Sequence, residues 1–145
     1  MIAYFDASAL VKRYLEESGT LDVLRLSDSA TTAATSLISR AEVAAAISRA
    51  GRLGAVPMSA AEQALRNFRR DWVYLFRVRV EETTMARADA LAWELGLRGY
   101  DAVHLASALA WRESIAESPL FATYDRALGK AARTQGLDVW PQDLG

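Results

Sequence analysis

Cysteine is missing from the 145 residues and histidine occurs once, at His104. Without cysteine there are no disulfides and no thiolate metal centres. With one histidine, a metal site in this chain would be built from oxygen ligands. Long apolar runs are also scarce. The strongest, from Ala102 to Trp111, is interrupted by His104 and Ser107 and is too short to span a bilayer. No basic segment followed by an apolar run opens the chain, so nothing resembles a secretion signal. A soluble cytoplasmic protein without a membrane partner is expected.

Charge of one sign is lacking as well. The net charge is −1, against the strongly basic balance usual for nucleic-acid-binding domains. The cations are nonetheless of nearly one kind, fifteen arginines and two lysines. Arginine is the better fork for phosphate oxygens, although an Ala- and Arg-rich proteome gives the same bias. A glycine-rich turn after the first apolar run, which a Rossmann nucleotide site needs, is replaced by Asp6-Ala7-Ser8.

What is present describes an ordinary globular chain, 52% hydrophobic and 24% charged. Its length suits one domain, residues 1–145, that buries about two thirds of its unfolded surface. No repeat, linker or low-complexity segment divides it. Ile2-Ala3-Tyr4-Phe5 reads as a buried strand ending on Asp6. From Ala7 the apolar positions Ala7, Leu10, Val11, Tyr14 and Leu15 take helical spacing. Helices are expected at Thr20–Ser27, at Leu37–Arg52 and from a Ser59 cap with a stripe running to Leu75. Further helices are expected at about Thr84–Leu95, from Tyr100 or Asp101 to Ser114, and at Arg126–Gln135. Strands are expected at Ala30–Thr35, Phe76–Val80, Pro119–Tyr124 and Leu137–Trp140. The alternation predicts an α/β fold whose parallel sheet is covered on both faces. Trp72, Trp93 and Trp111 fall on apolar stripes and read as core or interface, while Lys12, Arg13 and the Arg66–Arg70 cluster read as solvated faces.

Four carboxylates stand out: Asp6, Glu42, Asp101 and Asp125 lie at or near expected helix starts, and three of them follow an expected strand. Sites in open parallel sheets form beyond the carboxyl ends of the strands, so the four can converge. Each also has a plainer reading. Asp6 and Asp125 suit helix caps, Ser39-Arg40-Ala41-Glu42 has capping-box spacing, and Asp101 suits the positive end of a helix dipole. Taken jointly these readings weaken, because Asp101 opens a nearly all-apolar helix where a buried carboxylate needs a partner. Clustered carboxylates repel unless a cation joins them. An oxygen-only set suits Mg²⁺ or Mn²⁺ and not Zn²⁺, and such ions activate water and neutralise charge on a phosphodiester. Setting the four site charges aside takes the net charge from −1 to +3, which tolerates a polyanion.

The chain resembles the PIN-domain ribonucleases, and within them the VapC toxins of toxin–antitoxin pairs. The likeness rests on four blocks in order: Phe5-Asp6-Ala7-Ser8-Ala9-Leu10-Val11-Lys12, Ser39-Arg40-Ala41-Glu42-Val43, Leu97-Arg98-Gly99-Tyr100-Asp101-Ala102-Val103-His104-Leu105-Ala106, and Thr123-Tyr124-Asp125-Arg126-Ala127-Leu128. It implies a three-layer α/β/α sandwich with a mainly parallel sheet and a Mg²⁺-dependent endoribonuclease. It also implies a homodimer and a cognate antitoxin that occludes the site. By position, Asp6 and Asp101 are the expected principal metal ligands, and Glu42 and Asp125 complete the set directly or through water. Ser8 and Thr123 match supporting hydroxyls. Thr123, two residues before Asp125, would share its strand face, and simple strand or cap chemistry is the alternative for both hydroxyls.

His104, three residues after Asp101, faces the same helical side, but a lone histidine in an apolar helix reads first as a hydrogen-bonded core residue. Arg98 either meets phosphate or caps the preceding helix. A dehalogenase-type phosphatase would need a second carboxylate two residues after Asp6, where Ser8 stands. A non-catalytic PIN-like binding module would be expected to lack one of the four acids. The remaining alternative is a PIN-fold protein acting in nucleic-acid processing without an antitoxin.

Overall fold

A computed structural model describes residues 1–144. The chain opens with strand β1 (Ile2–Phe5), whose side chains alternate between two cores. Ile2 and Tyr4 join one and Ala3 and Phe5 the other, the pattern of a strand covered on both faces. After it come α1 (Ala7–Leu10), α2 (Thr20–Ser29), β2 (Thr32–Ser36), α3 (Ser39–Arg52) and α4 (Met58–Asp71). The chain then continues through β3 (Phe76–Val78), α5 (Glu82–Leu95), α6 (Gly99–Ile115), β4 (Leu120–Ala122), α7 (Arg126–Thr134) and β5 (Asp138–Trp140).

The strands form one sheet in the order β3-β2-β1-β4-β5, and all four pairings are parallel. Parallel neighbours cannot be joined by a tight turn, so each connection crosses a face of the sheet through helix. Helices α1 to α4 cover one face with a core around Phe5, Val43, Ile47 and Phe68. Helices α5 to α7 cover the other with a core around Tyr4, Leu105, Leu109, Phe121 and Leu128. The result is the expected three-layer α/β/α sandwich. The order runs outward from β1 in one direction to β2 and β3, and in the other to β4 and β5, so the switch of direction falls between β1 and β4. Register aligns the two strands there, with Phe5 beside Ala122, and the Asp6 amide continues the ladder to the Ala122 carbonyl at 3.1 Å.

Local differences from the sequence reading have identifiable causes. The helix after Asp6 tightens at Val11–Arg13 into a 3₁₀ turn, which still buries Leu10, Val11 and Leu15. Helix α4 ends at Asp71 and a second 3₁₀ turn, Trp72–Tyr74, carries the stripe to Leu75. Pro57, not Ser59, occupies the cap position of α4 in an extended conformation. The strands are mostly shorter than expected; β4 ends at Ala122, although the Thr123 amide still reaches the Trp140 carbonyl of β5 at 2.9 Å. Trp72 and Trp111 are buried in the core, whereas Trp93 is 89% exposed on the side of α5 away from Ala88 and Leu91, which leaves it the interface half of its core-or-interface reading. Helix α6 is buried along most of its length, as its composition predicts. Among the described residues no helix is long and apolar enough to cross a membrane.

Phe121 is fully buried and stacks on Tyr4 with ring centroids 5.4 Å apart. Truncation would open a cavity under the central strand. Phe121→Ala should lower unfolding free energy by about 3–5 kcal/mol in urea denaturation. A loss below about 1 kcal/mol would mean that the strand is not packed as described.

Candidate active site

The sequence folds Asp6 into position through the abrupt change from strand to helix. Its backbone is extended and its side chain caps α1, with Oδ1 accepting from the Ala9 amide at 2.9 Å. The expected cap is therefore present, but it uses one of three donors. The Ser8 hydroxyl donates to Oδ1 at 2.6 Å and the Thr123 hydroxyl to Oδ2 at 2.6 Å. Asp6 is 3% exposed. Burial pushes its carboxyl above the ordinary value, against which the nearby His104 imidazole and the bonds from Ser8, Thr123 and Ala9 pull it down.

Thr123 ties the two strands of the switch point together. Besides donating to Asp6, its oxygen accepts from the Asp125 amide at 3.0 Å. Ser8 likewise accepts from the Tyr124 amide at 2.9 Å. Both hydroxyls thus link the β1 and β4 ends. Asp125 caps α7, its Oδ1 accepting from the Leu128 amide at 2.8 Å. Its Oδ2 accepts from the Arg98 guanidinium at 2.8 Å. Arg98 also donates from Nε to Asp101 Oδ2 at 2.9 Å, so one fork bridges two carboxylates. These bonds and charges, Asp101 foremost, raise the guanidinium's affinity for its proton further. Arg98 stands at the N-cap position of α6 without a side-chain cap bond there, and its side-chain hydrogen bonds run to Asp101 and Asp125 and not to the end of the preceding helix.

Glu42 departs from the capping-box reading. Helix α3 begins at Ser39 itself, whose hydroxyl pairs with that of Thr35 at 2.6 Å, and no side-chain cap is made. Glu42 instead bonds His104 Nε2 at 2.6 Å. His104 is 1% exposed, and its Nδ1 lies 2.8 Å from the Tyr4 hydroxyl. With the phenol donating to Nδ1, Nε2 carries the proton and donates to Glu42, a tautomer assigned from the bonding partners. The histidine is the core residue expected, with the added task of holding a site carboxylate. Tyr4 escaped the sequence reading. Its only signal there was a hydroxyl on the strand that delivers Asp6.

Three of the four acidic residues are linked through hydrogen bonds at the carboxyl end of the sheet, and the fourth, Glu42, is held separately by His104. Asp6 joins Asp125 through Thr123, Asp125 joins Asp101 through Arg98, and Glu42 is held by His104 on the same helix as Asp101. Among the described residues no three acid or histidine groups stand close enough to form a ready ligand cluster. Lys12 lies 4.4 Å from the Tyr124 ring centre and also bonds Glu17, and Arg66, Arg69 and Arg70 are exposed as expected.

The sequence pattern of the PIN domain matches residues 3–134. The chain is 36% identical to the ribonuclease VapC45 of Mycobacterium tuberculosis over 143 residues, covering 99% of this chain and 97% of that protein. Its fold is similar to VapBC2 of Rickettsia felis, solved bound to a promoter DNA fragment. That match has a TM-score of 0.65, 16% identity and coverage of 96% and 97% of the two chains. It is also similar to PAE2754 of Pyrobaculum aerophilum, with TM-score 0.65, 22% identity and coverage of 95% and 83%.

Asp6 supplies a test of this geometry in stability. Its folded carboxyl titrates above the unfolded value of about 3.8, so as pH rises the unfolded chain ionises first and folding loses free energy through that window. The charged group thus costs stability at neutral pH and none in acid. Asp6→Asn should melt at or above the wild-type temperature at pH 7, with any gain shrinking below pH 4. A fall of more than about 5 °C at pH 7 would make Asp6 a structural cap and no more.

Proposed function

The chain belongs to the PIN domain family, within the VapC group, and from that premise we propose that it is a metal-dependent endoribonuclease acting as the toxin of a toxin–antitoxin pair. The observation that carries this reading is that Asp6, Glu42, Asp101 and Asp125 are each held by a protein donor, with Asp6, Asp101 and Asp125 linked through Thr123 and Arg98 at the carboxyl end of the sheet. Capping accounts for Asp6 and Asp125 alone. Glu42 in particular leaves its cap role to meet His104.

The donor chemistry fits Mg²⁺, or Mn²⁺ in its place. All four groups are hard oxygen ligands, and a cation, the Arg98 guanidinium, already sits between two of them. Asp6 and Asp101 would be the principal ligands, with Glu42 and Asp125 beside them. When bound, the ion would supply charge neutralisation at the phosphodiester and a more acidic water. The chain's own residues do the rest. Ser8 and Thr123 fix the Asp6 rotamer, and Tyr4 and His104 fix Glu42. His104 has both ring nitrogens engaged and no open face, so it positions a carboxylate and is not set to take a proton. Arg98, 76% exposed at the rim, is the candidate phosphate contact.

VapC45 is named a ribonuclease, and VapBC2 is a complex solved on promoter DNA. By likeness, RNA is the proposed substrate and a cognate antitoxin the proposed partner, with the protein in the cytoplasm. Homodimerisation is proposed on the same ground, and Met85 and Trp93, eight residues apart on α5 and both exposed, offer an apolar stripe for it. A PIN-fold nuclease without an antitoxin is the alternative.

Purified protein incubated with a mixed RNA pool should release fragments with Mg²⁺ or Mn²⁺ and none with chelator. Asp101→Asn should abolish the fragments, and His104→Ala, by freeing Glu42, should slow them about 10–100-fold. Cleavage that survives chelation, or an Asp101→Asn variant as active as wild type, would contradict the reading.

A further inference from the structure

Arg98 occupies the carboxylate oxygens that a metal ion would need, and we infer that it is a built-in counter-cation which a divalent ion must displace from Asp101 and Asp125. The inference rests on the metal-dependent reading above and concerns how that site is gated.

Asp125 sets the constraint. Its Oδ1 is committed to the Leu128 amide at 2.8 Å, and its backbone amide is tied to the Thr123 hydroxyl at 3.0 Å. The carboxylate cannot turn without uncapping α7. The oxygen left to it is Oδ2, and the Arg98 fork is on that atom at 2.8 Å. The same fork holds Asp101 Oδ2 at 2.9 Å. A metal ion binding here would stand about one ligand length from the guanidinium, and two cations that close repel. One must leave.

Exposure decides which. The Arg98 side chain is 76% exposed, whereas those of Asp101 and Asp125 are 15% and 25% exposed. The guanidinium lies over two less exposed carboxylates, one of them anchored by the α7 cap, on a flexible stem that no other bond secures among those described. Ion pairs with one well-exposed partner are weak. A divalent cation chelated by several carboxylates is held more strongly than such a pair, so the exchange runs from arginine to metal. Until then the arginine neutralises two aspartates that would otherwise repel. Arg98 is thus a positioning residue for the empty site and a competitor for the filled one.

The test is Mn²⁺ binding without RNA, followed on the full chain by the electron paramagnetic resonance signal of the free ion. Wild type is compared with Arg98→Gln and Arg40→Gln. Arg40 lies in the first turn of α3 at the same end of the sheet, over the Trp72 ring, and has no bond to a site carboxylate among those described. Arg98→Gln should bind Mn²⁺ about 3- to 30-fold more tightly, the range that releasing two exposed pairs allows, while Arg40→Gln stays within about twofold of wild type. Wild-type binding that Arg98→Gln leaves unchanged or weakens would overturn the inference and leave the metal site standing. An equal gain in Arg40→Gln would also overturn it, by showing general electrostatics in place of displacement. Absence of Mn²⁺ binding in all three folded proteins would defeat the metal reading itself, and the inference with it.

Discussion

A carboxylate shut away from water costs on the order of a few kcal/mol to keep ionised unless donors replace the water it has lost. Asp6 is such a group, and the surrounding structure is arranged around that demand. Its three donors come from the next turn of its own helix and from the strand on the other side of the switch point. Ser8 and Thr123 cannot meet Asp6 unless β1 and β4 are adjacent and in register. The all-parallel order with β1 at its centre is what brings them together. Fold and site are therefore one problem, solved at the end of β1.

The second organising constraint is charge balance. Four acids drawn to one edge would repel, and the chain answers with a separate partner at each point. Hydroxyls and an amide hold Asp6, an imidazole anchored on Tyr4 holds Glu42, and a single guanidinium holds Asp101 with Asp125. The partners differ in mobility. The hydroxyls and the histidine are buried or nearly so, while the guanidinium lies in water. Only the last can be exchanged without disturbing the core. A near-neutral protein can in this way keep several acidic side chains at one edge of its sheet.

Much of this was legible in the residues. The break from Phe5 to Asp6, the buried composition of α6 and the strand–helix alternation predict the layers, because hydrophobic period and burial are local properties of sequence. Asp6 and Asp125 are read correctly as caps, and each carboxylate also accepts from a second side chain, Thr123 and Arg98 respectively, so capping does not use up the group. Glu42 shows where local reading fails. Ser-x-x-Glu spacing predicts a capping box, but Ser39 turns to Thr35 and Glu42 to His104, two partners far away in sequence. Trp93 shows the same limit in a milder form, since an apolar position on a helix reads as core or interface and only the fold shows that this one is exposed. The Tyr4–His104 bond spans 100 positions, and no short-range pattern announces it.

The central proposal is that Asp6 and Asp101, with Glu42 and Asp125 beside them, hold a divalent cation, and that Arg98 bridges Asp101 and Asp125 until it binds. The most direct measurement is an anomalous difference map from crystals of the protein grown with Mn²⁺. The account predicts a peak within about 2.5 Å of carboxylate oxygens of Asp6 and Asp101, with the Arg98 guanidinium withdrawn from Asp125. A map from Mn²⁺-saturated crystals with Arg98 still bridging the two aspartates and no peak beside Asp6 would contradict it.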